Sequence, residues 1–300
     1  MRSESIMKKL ILDFAKNDER IRAVLLNGSR ANKKIIPDLL QDFDIVFVVK
    51  DFKTFIEEHD WTNKFGKKLI QQFPREMFTD KSASEERSDY SHLMIFEDGN
   101  RIDLTIFPLE KVTSDFESDS LTVVWLDKDN LFSRIPPPDD TDYHIKTPSQ
   151  KDFSDTCNEF WWVCTNVAKA LARGEIILAK EVMETIVRPM FMKMIAWEIG
   201  WQNNFAVSFG KGGKSIRKYL DTESYNRILN TYAAAGIDEN WESLFKMCHL
   251  FEQFSCQVAI ALQFDHEKKE EQNTLLYLKK IYEDYRPHRE PFNPGLEGPT

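Results

Sequence analysis

Apolar residues recur along this chain with two different periods, and the change of period divides it. Residues 4–16 place Met7, Leu10, Ile11 and Phe14 on one helical face. Residues 20–27 (RIRAVLLN) and 42–49 (DFDIVFVV) read as strands, the second almost unbroken in its apolar run after the leading aspartates. Helical or mixed material is predicted from there to about residue 72. Residues 91–97 and 101–107 flank Asp98-Gly99, a pair that predicts a hairpin turn with positive φ at both positions. Residues 121–126 (LTVVWL) predict a further strand. Beyond residue 147 the spacing is helical, with helices predicted over 148–173, 175–200, 222–234, 239–264 and 268–284. Thr147 and Pro148 suit the N-cap and first turn of the first of these, and Gly174 suits its stop. Pro189 must kink or divide the second.

The fold class expected is therefore α+β, with a mixed sheet and helices over residues 1–135 and a helical domain over 147–285. Pro136-Pro137-Pro138 between them excludes regular structure. Residues 286–300 hold four prolines and two glycines and predict a loose tail. No internal repeat is visible.

Charge narrows the partners. The net charge is −9 and the isoelectric point about 5.3. Such a surface repels phosphate backbones, which argues against a long nucleic acid, and it suits a cationic ligand. Acidity that only aids solubility fits equally. Cys157, Cys164, Cys248 and Cys256 form no Cys-x-x-Cys pair and lie beside large apolar residues, as reduced core cysteines do. The six histidines show no metal-ligand spacing and read as surface or ordinary polar residues. No signal peptide and no membrane-length apolar run are present, so a cytoplasmic protein is expected. No membrane and no obligate protein partner is implied.

The informative constellation lies in the first domain. Gly28-Ser29 closes one predicted strand, Asp42-Phe43-Asp44 opens the next, and Asp103 lies in a third. A small Gly-Ser turn lets backbone N–H groups approach a phosphate, and the hydroxyl adds a donor. Aspartates at i and i+2 on a strand share a face, where their carboxylates can hold hard cations such as Mg²⁺. A lone aspartate is more often a turn residue, and Asp98 and Asp127 carry only that reading. Asp42 and Asp44 directly precede Ile45-Val46-Phe47-Val48-Val49, and Asp103 lies among Ile102, Leu104 and Ile106. Charge in such company calls for a partner.

These residues carry a resemblance. Gly-Ser, a spacer, and Asp-x-Asp with apolar flanks, followed by a third Asp on a later strand, resemble the polymerase-β-like nucleotidyltransferases. The segments LNGSRAN (26–32), QDFDI (41–45), FEDGNRIDLTIFP (96–108), CNEFWWV (157–163) and VRPMFMKMIAW (187–197) resemble the aminoglycoside 6-adenylyltransferases, which modify streptomycin. The likeness runs from residue 1 to about 285. It implies a nucleotidyltransferase domain followed by a helical bundle, with the active site in the cleft between them. It also implies ATP as co-substrate, two Mg²⁺ ions on Asp42, Asp44 and Asp103, and nucleotide contacts from Gly28, Ser29 and Arg30. The implied reaction is AMP transfer to the 6-hydroxyl of streptomycin, with pyrophosphate released and antibiotic resistance as the outcome. Asp103 is the candidate general base, with Glu159 next.

In the second domain Glu159, Trp162, Asn166, Lys169 and Arg173 share one helix face. A solvated face explains such a stripe, but a tryptophan beside a glutamate also suits a cationic sugar. Glu159, Trp162 and Asn166 are the acceptor candidates, and Lys169 is a candidate for the triphosphate. Lys211-Gly212-Gly213-Lys214 is either a flexible loop or a phosphate-holding turn in which Lys214 contacts the nucleotide; its spacing is not that of a Walker motif. Two other readings stay open, an adenylyltransferase for another small-molecule or protein acceptor and a non-catalytic nucleotide-binding module.

Overall fold

The computed structural model describes residues 1–77 and 88–285 and divides the chain into two compact units, Met1–Asp142 and Tyr143–Thr300. The class is α+β, with a six-stranded sheet in the first unit and helices in the second. The tail predicted over 286–300 lies outside the described residues. Among those residues no helix is long and apolar enough to cross a membrane.

The first unit begins with α1 (Glu4–Asn17), capped by the Ser3 side chain, which accepts from the Ile6 amide. Its Met7, Ile11 and Ala15 are buried on one stripe. Then come β1 (Ile21–Asn27) and β2 (Phe43–Val49), where the apolar runs predicted strands. The segment read as helical or mixed resolves into α2 (Phe52–Glu57), a 3₁₀ stretch over Asp60–Phe65 and a strand, β3 (Lys68–Gln72). That strand was invisible because KLIQQ does not alternate; it is an edge strand with Leu69 and Ile70 exposed. β4 (Tyr90–Phe96) and β5 (Arg101–Pro108) follow, then α3 (Val112–Asp115) and β6 (Val123–Asp127).

The β4–β5 hairpin corrects one expectation. Only Gly99 has positive φ (83°), and Asp98 does not. The Gly99 amide donates to the Phe96 carbonyl and the Phe96 amide to the Asn100 carbonyl, so the loop has three residues with glycine in its left-handed position. Asp98 accepts from Arg2 Nε at 2.7 Å and from the Asn100 amide at 3.1 Å, which hold its carboxyl well below the usual range.

The strand order is β3-β4-β5-β2-β1-β6, and β2 runs parallel to β5 while the other neighbours are antiparallel. One sheet face carries Val24, Leu26, Phe43, Ile45, Phe47, Leu104 and Ile106 into a core shared with α1. The other carries Ala23, Leu25, Val46, Val48 and Phe107 against Phe132. His92, read as surface or ordinary polar, is fully buried among Trp61, Phe73 and Tyr90. Burial pushes its pKa down to about 4, so the ring is neutral.

In the second unit α4 (Gln150–Ala172) starts two residues later than predicted. Ser149 caps it and exchanges bonds with Asp152 in a capping box, which outcompetes Thr147. Gly174 ends it with φ 75°. Pro189 divides the next helical stretch as expected: α5 (Ile176–Val182) passes through a π-helical turn, Met183–Val187, into α6 (Arg188–Gln202), with the proline in its first turn. α7 (Thr222–Leu229), α8 (Ile237–Leu262) and α9 (Lys269–Tyr285) complete the described unit. Its core stacks Phe160 on Phe251 at 3.7 Å between ring centres. All four cysteines are free, with Cys164 and Cys248 buried.

Glu271 on α9 is 2% exposed, and burial together with Glu252 pushes its carboxyl up to about 7. Lys268 opposes that shift, and His266 Nε2 lies 3.9 Å from the Glu271 carboxylate. The folded protein thus holds this proton more tightly than the unfolded chain. The stability it contributes is complete below the ordinary carboxylate pKa of 4.5 and is lost as pH rises through about 7. Glu271→Gln keeps the shape without the charge. It should raise the Tm at pH 8, by roughly 2–4 °C per kcal/mol recovered, and leave it nearly unchanged at pH 4.5. Thermal melts at both pH values check this, and an equal shift at both would rule out the buried charge as the cause.

Candidate active site

β1 ends at Asn27, which lies opposite Asp44 in the β1–β2 register. Gly28 follows at φ 72° and opens a single 3₁₀ turn, Gly28–Arg30. A Cβ on Gly28 would overlap the Asp44 carboxylate, with Cγ only 3.1 Å away. The glycine is therefore required by the aspartate beside it as well as by its own backbone angle. Gln41 Nε2 donates to the Ser29 carbonyl at 3.3 Å, tying the turn to the entry of β2.

Parallel pairing then sets Asp44 directly opposite Asp103 on β5. Asp42 precedes Asp44 by two residues and shares its side of the sheet. The structure thus brings Asp42, Asp44 and Asp103 to one end of one sheet face, beside the Gly28-Ser29 turn. Arg101 joins them from β5 by the same two-residue spacing. It donates to both Asp103 oxygens, from Nε at 2.7 Å and from Nη2 at 2.6 Å, and its Nε lies 3.5 Å from Asp42. Arg101 was not singled out from sequence; its i, i+2 relation to Asp103 was the available signal.

The electrostatics follow from this crowding. Asp44 is pushed up to about 6, by burial first and then by Asp103 and Asp42. Burial also raises Asp42, with Arg101 opposing. No described residue donates a hydrogen bond to the Asp44 carboxylate. An all-oxygen donor set on one face suits a hard divalent cation, and the raised Asp44 marks unmet demand for positive charge. Among the described residues no three His, Cys, Asp or Glu groups are closed up to hold a metal as they stand. Asp103 and Asp42 are gathered at the Arg101 guanidinium while Asp44 has no donor among the described residues, so the residues fit a cation in chemistry and placement, with an arginine now supplying part of the charge.

Arg30, assigned from sequence to the nucleotide, is committed elsewhere. Its side chain is 7% exposed and donates to the carbonyls of Asp42 (3.0 Å) and Gln41 (2.7 Å). It pairs with Glu4 and covers the Phe43 ring at 3.9 Å. It braces the start of β2 from beneath.

In the second unit Glu159, Trp162, Asn166 and Lys169 all lie exposed on α4 as the stripe predicted. Trp162 is 68% exposed and lines a hollow of about 320 Å³ with Asn158, Trp161, Glu270 and Tyr277. The carboxylate lining it is Glu270 from α9, and Glu159 is outside. No local spacing could have linked Glu270 to Trp162. Lys214 is exposed just after the 3₁₀ turn Lys211–Gly213. Gly213 has φ 81°, and a Cβ there would press on Met192 and Phe209, so packing alone accounts for that glycine.

Gly28→Ala should destabilise the protein by on the order of 1–2 kcal/mol from the backbone angle alone, with the overlap on Asp44 adding to it. Denaturant unfolding of the variant measures this. Unchanged stability would mean that the turn relaxes to negative φ.

Comparison with known proteins agrees over nearly the whole chain. The family model for streptomycin adenylyltransferase matches residues 1–281. An aminoglycoside 6-adenylyltransferase of Bacillus subtilis (strain 168) is 40% identical over 94% of this chain and 99% of its own. One from Campylobacter jejuni is 40% identical over 94% of this chain and 98% of its own. A crystal structure of an aminoglycoside 6-adenyltransferase from Bacillus subtilis is 36% identical, covers 94% of this chain and 99% of that one, and superposes with a TM-score of 0.47. With a family match spanning 281 residues and two relatives at 40% identity, this chain belongs to the streptomycin adenylyltransferase family.

Proposed function

We propose that this protein transfers AMP from ATP to a hydroxyl of an aminoglycoside, releasing pyrophosphate and giving antibiotic resistance. Family membership carries the class of reaction, and the placement of Asp42, Asp44 and Asp103 on one sheet face beside Gly28-Ser29 is the observation that supports this chemistry. The acceptor is streptomycin, modified at its 6-hydroxyl.

Asp42, Asp44 and Asp103 are the candidate ligands of two Mg²⁺ ions. When bound, such ions offset phosphate charge and polarise the α-phosphate. Gly28 and Ser29 supply backbone N–H groups and a hydroxyl to the outer phosphates of ATP. Arg30 contributes by bracing Asp42, and Lys169 and Lys214 are further candidates for the phosphates. The acceptor oxygen attacks the α-phosphorus in line. A new P–O bond forms, the bond to pyrophosphate breaks, and the hydroxyl proton passes to Asp103, with Glu159 as the second candidate base. Trp162, Asn166 and Glu159 are the acceptor contacts. Streptomycin carries guanidinium groups, which an aromatic face and a carboxylate hold well. Glu270 joins this set because it lines the hollow with Trp162.

Pyrophosphate release with ATP, Mg²⁺ and a panel of aminoglycosides tests the reading. Turnover is expected with streptomycin and not with kanamycin, and the reverse result would overturn the acceptor assignment. Asp42→Asn or Asp44→Asn should lower kcat by at least ~10²-fold while the fold persists. Wild-type turnover of either variant at saturating Mg²⁺ would remove the metal-ligand role.

A further inference from the structure

Arg101 is the one cation that donates directly to the carboxylate trio among the described residues. It grips both oxygens of Asp103, at 2.7 and 2.6 Å, and reaches Asp42 at 3.5 Å. A bidentate guanidinium occupies the in-plane lone pairs of a carboxylate that a metal would otherwise use. Arginine and a divalent ion therefore compete for Asp103.

We propose that Arg101 is the resident counter-cation of this site and a positioning residue for it: it holds Asp103 while no metal is bound and surrenders it when a divalent cation enters. The inference rests on the metal-ligand reading of the three aspartates given above.

Two features make the exchange feasible. The Arg101 side chain is 40% exposed, so its guanidinium can regain water on release. It also lines a hollow of about 540 Å³ with Ile70, Leu93, Ile95 and Met77, where its methylenes can lie once the head group lets go. Leu93 pairs with Asp103 and Ile95 with Arg101 across β4–β5, so that hollow opens on the same sheet face as the carboxylates. Asp44 contributes differently. It lies further from solvent than Asp42, no described residue donates to it, and it remains available to the incoming ion throughout. Metal entry then costs one charge-assisted pair at Asp103 and relieves the repulsion at Asp44.

The test is Mn²⁺ binding to the full-length protein without nucleotide, followed by calorimetry or electron paramagnetic resonance. Arg101→Gln should bind Mn²⁺ at least ~10-fold more tightly than wild type, the scale of one lost charge-assisted competitor. Its Tm should fall in chelator and recover in Mn²⁺. Arg101→Lys keeps the charge but cannot grip both oxygens, and should lie between the two. Equal or weaker binding by Arg101→Gln, or none measurable, overturns the exchange. So does tighter binding by Arg101→Gln with Arg101→Lys at the wild-type value, since that is a field effect alone. Asp44→Asn is the separate arm: if it binds Mn²⁺ as wild type does, the metal-ligand reading fails instead. In wild-type protein carrying ¹⁵N-labelled arginine, Mg²⁺ should shift the Arg101 Nε–H signal out of its hydrogen-bonded position. A signal that stays in place at saturating Mg²⁺ overturns the proposal without any variant.

Discussion

Three carboxylates held at one end of a sheet repel one another, and the surrounding residues are placed to manage that repulsion. Asp44 has no donor among the described residues, and burial first, then Asp103 and Asp42, push its carboxyl up to about 6. Arg101 neutralises Asp103 and Asp42 from the neighbouring position on β5. Arg30 adds positive charge from below while its guanidinium is spent on the backbone of Gln41 and Asp42. A site that accumulates unfavourable charge in the resting protein is one in which an added cation brings a large gain.

The sheet makes that concentration possible at modest conformational cost. Strands β1 and β2 are nearly wholly buried, and their apolar side chains fill cores on both faces. The polar residues sit where the apolar runs start and stop: Asn27 and Gly28 at the end of β1, Asp42 and Asp44 at the start of β2. Hydrophobic burial thereby holds the charged groups in register without their own interactions having to favour it. Gly28 illustrates how tight this is. Its missing side chain leaves the space that the Asp44 carboxylate fills.

The helical unit supplies different chemistry. Its exposed α4 stripe carries a carboxylate, an aromatic ring, a carboxamide and basic side chains in place of a metal-binding set. The hollow around Trp162 is completed by Glu270 and Tyr277 from α9. Aromatic faces with one carboxylate recognise cations by charge and stacking. The cationic aminoglycoside proposed as acceptor suits such a feature.

Much of this was legible in the residues themselves. Apolar periodicity identified β1, β2, the β4–β5 hairpin and the long helices, because local repeat alone decides which side chains can share a face. The i, i+2 spacing put Asp42 and Asp44 together, and an aspartate enclosed by isoleucines and leucine marked Asp103 as unusual. The ordered segments identified the family. Tertiary pairing decided the rest. Strand periodicity says nothing about which strand lies beside which, so the parallel β2–β5 register that sets Asp44 against Asp103 came from the packed sheet. The same holds for the hold of Arg101 on Asp103, the diversion of Arg30 to backbone carbonyls, the burial of His92, and the meeting of Trp162 with Glu270. Each depends on residues distant in sequence or on a choice among several nearby partners. Only the folded chain makes that choice, since the energy of a charged side chain is set by everything packed around it.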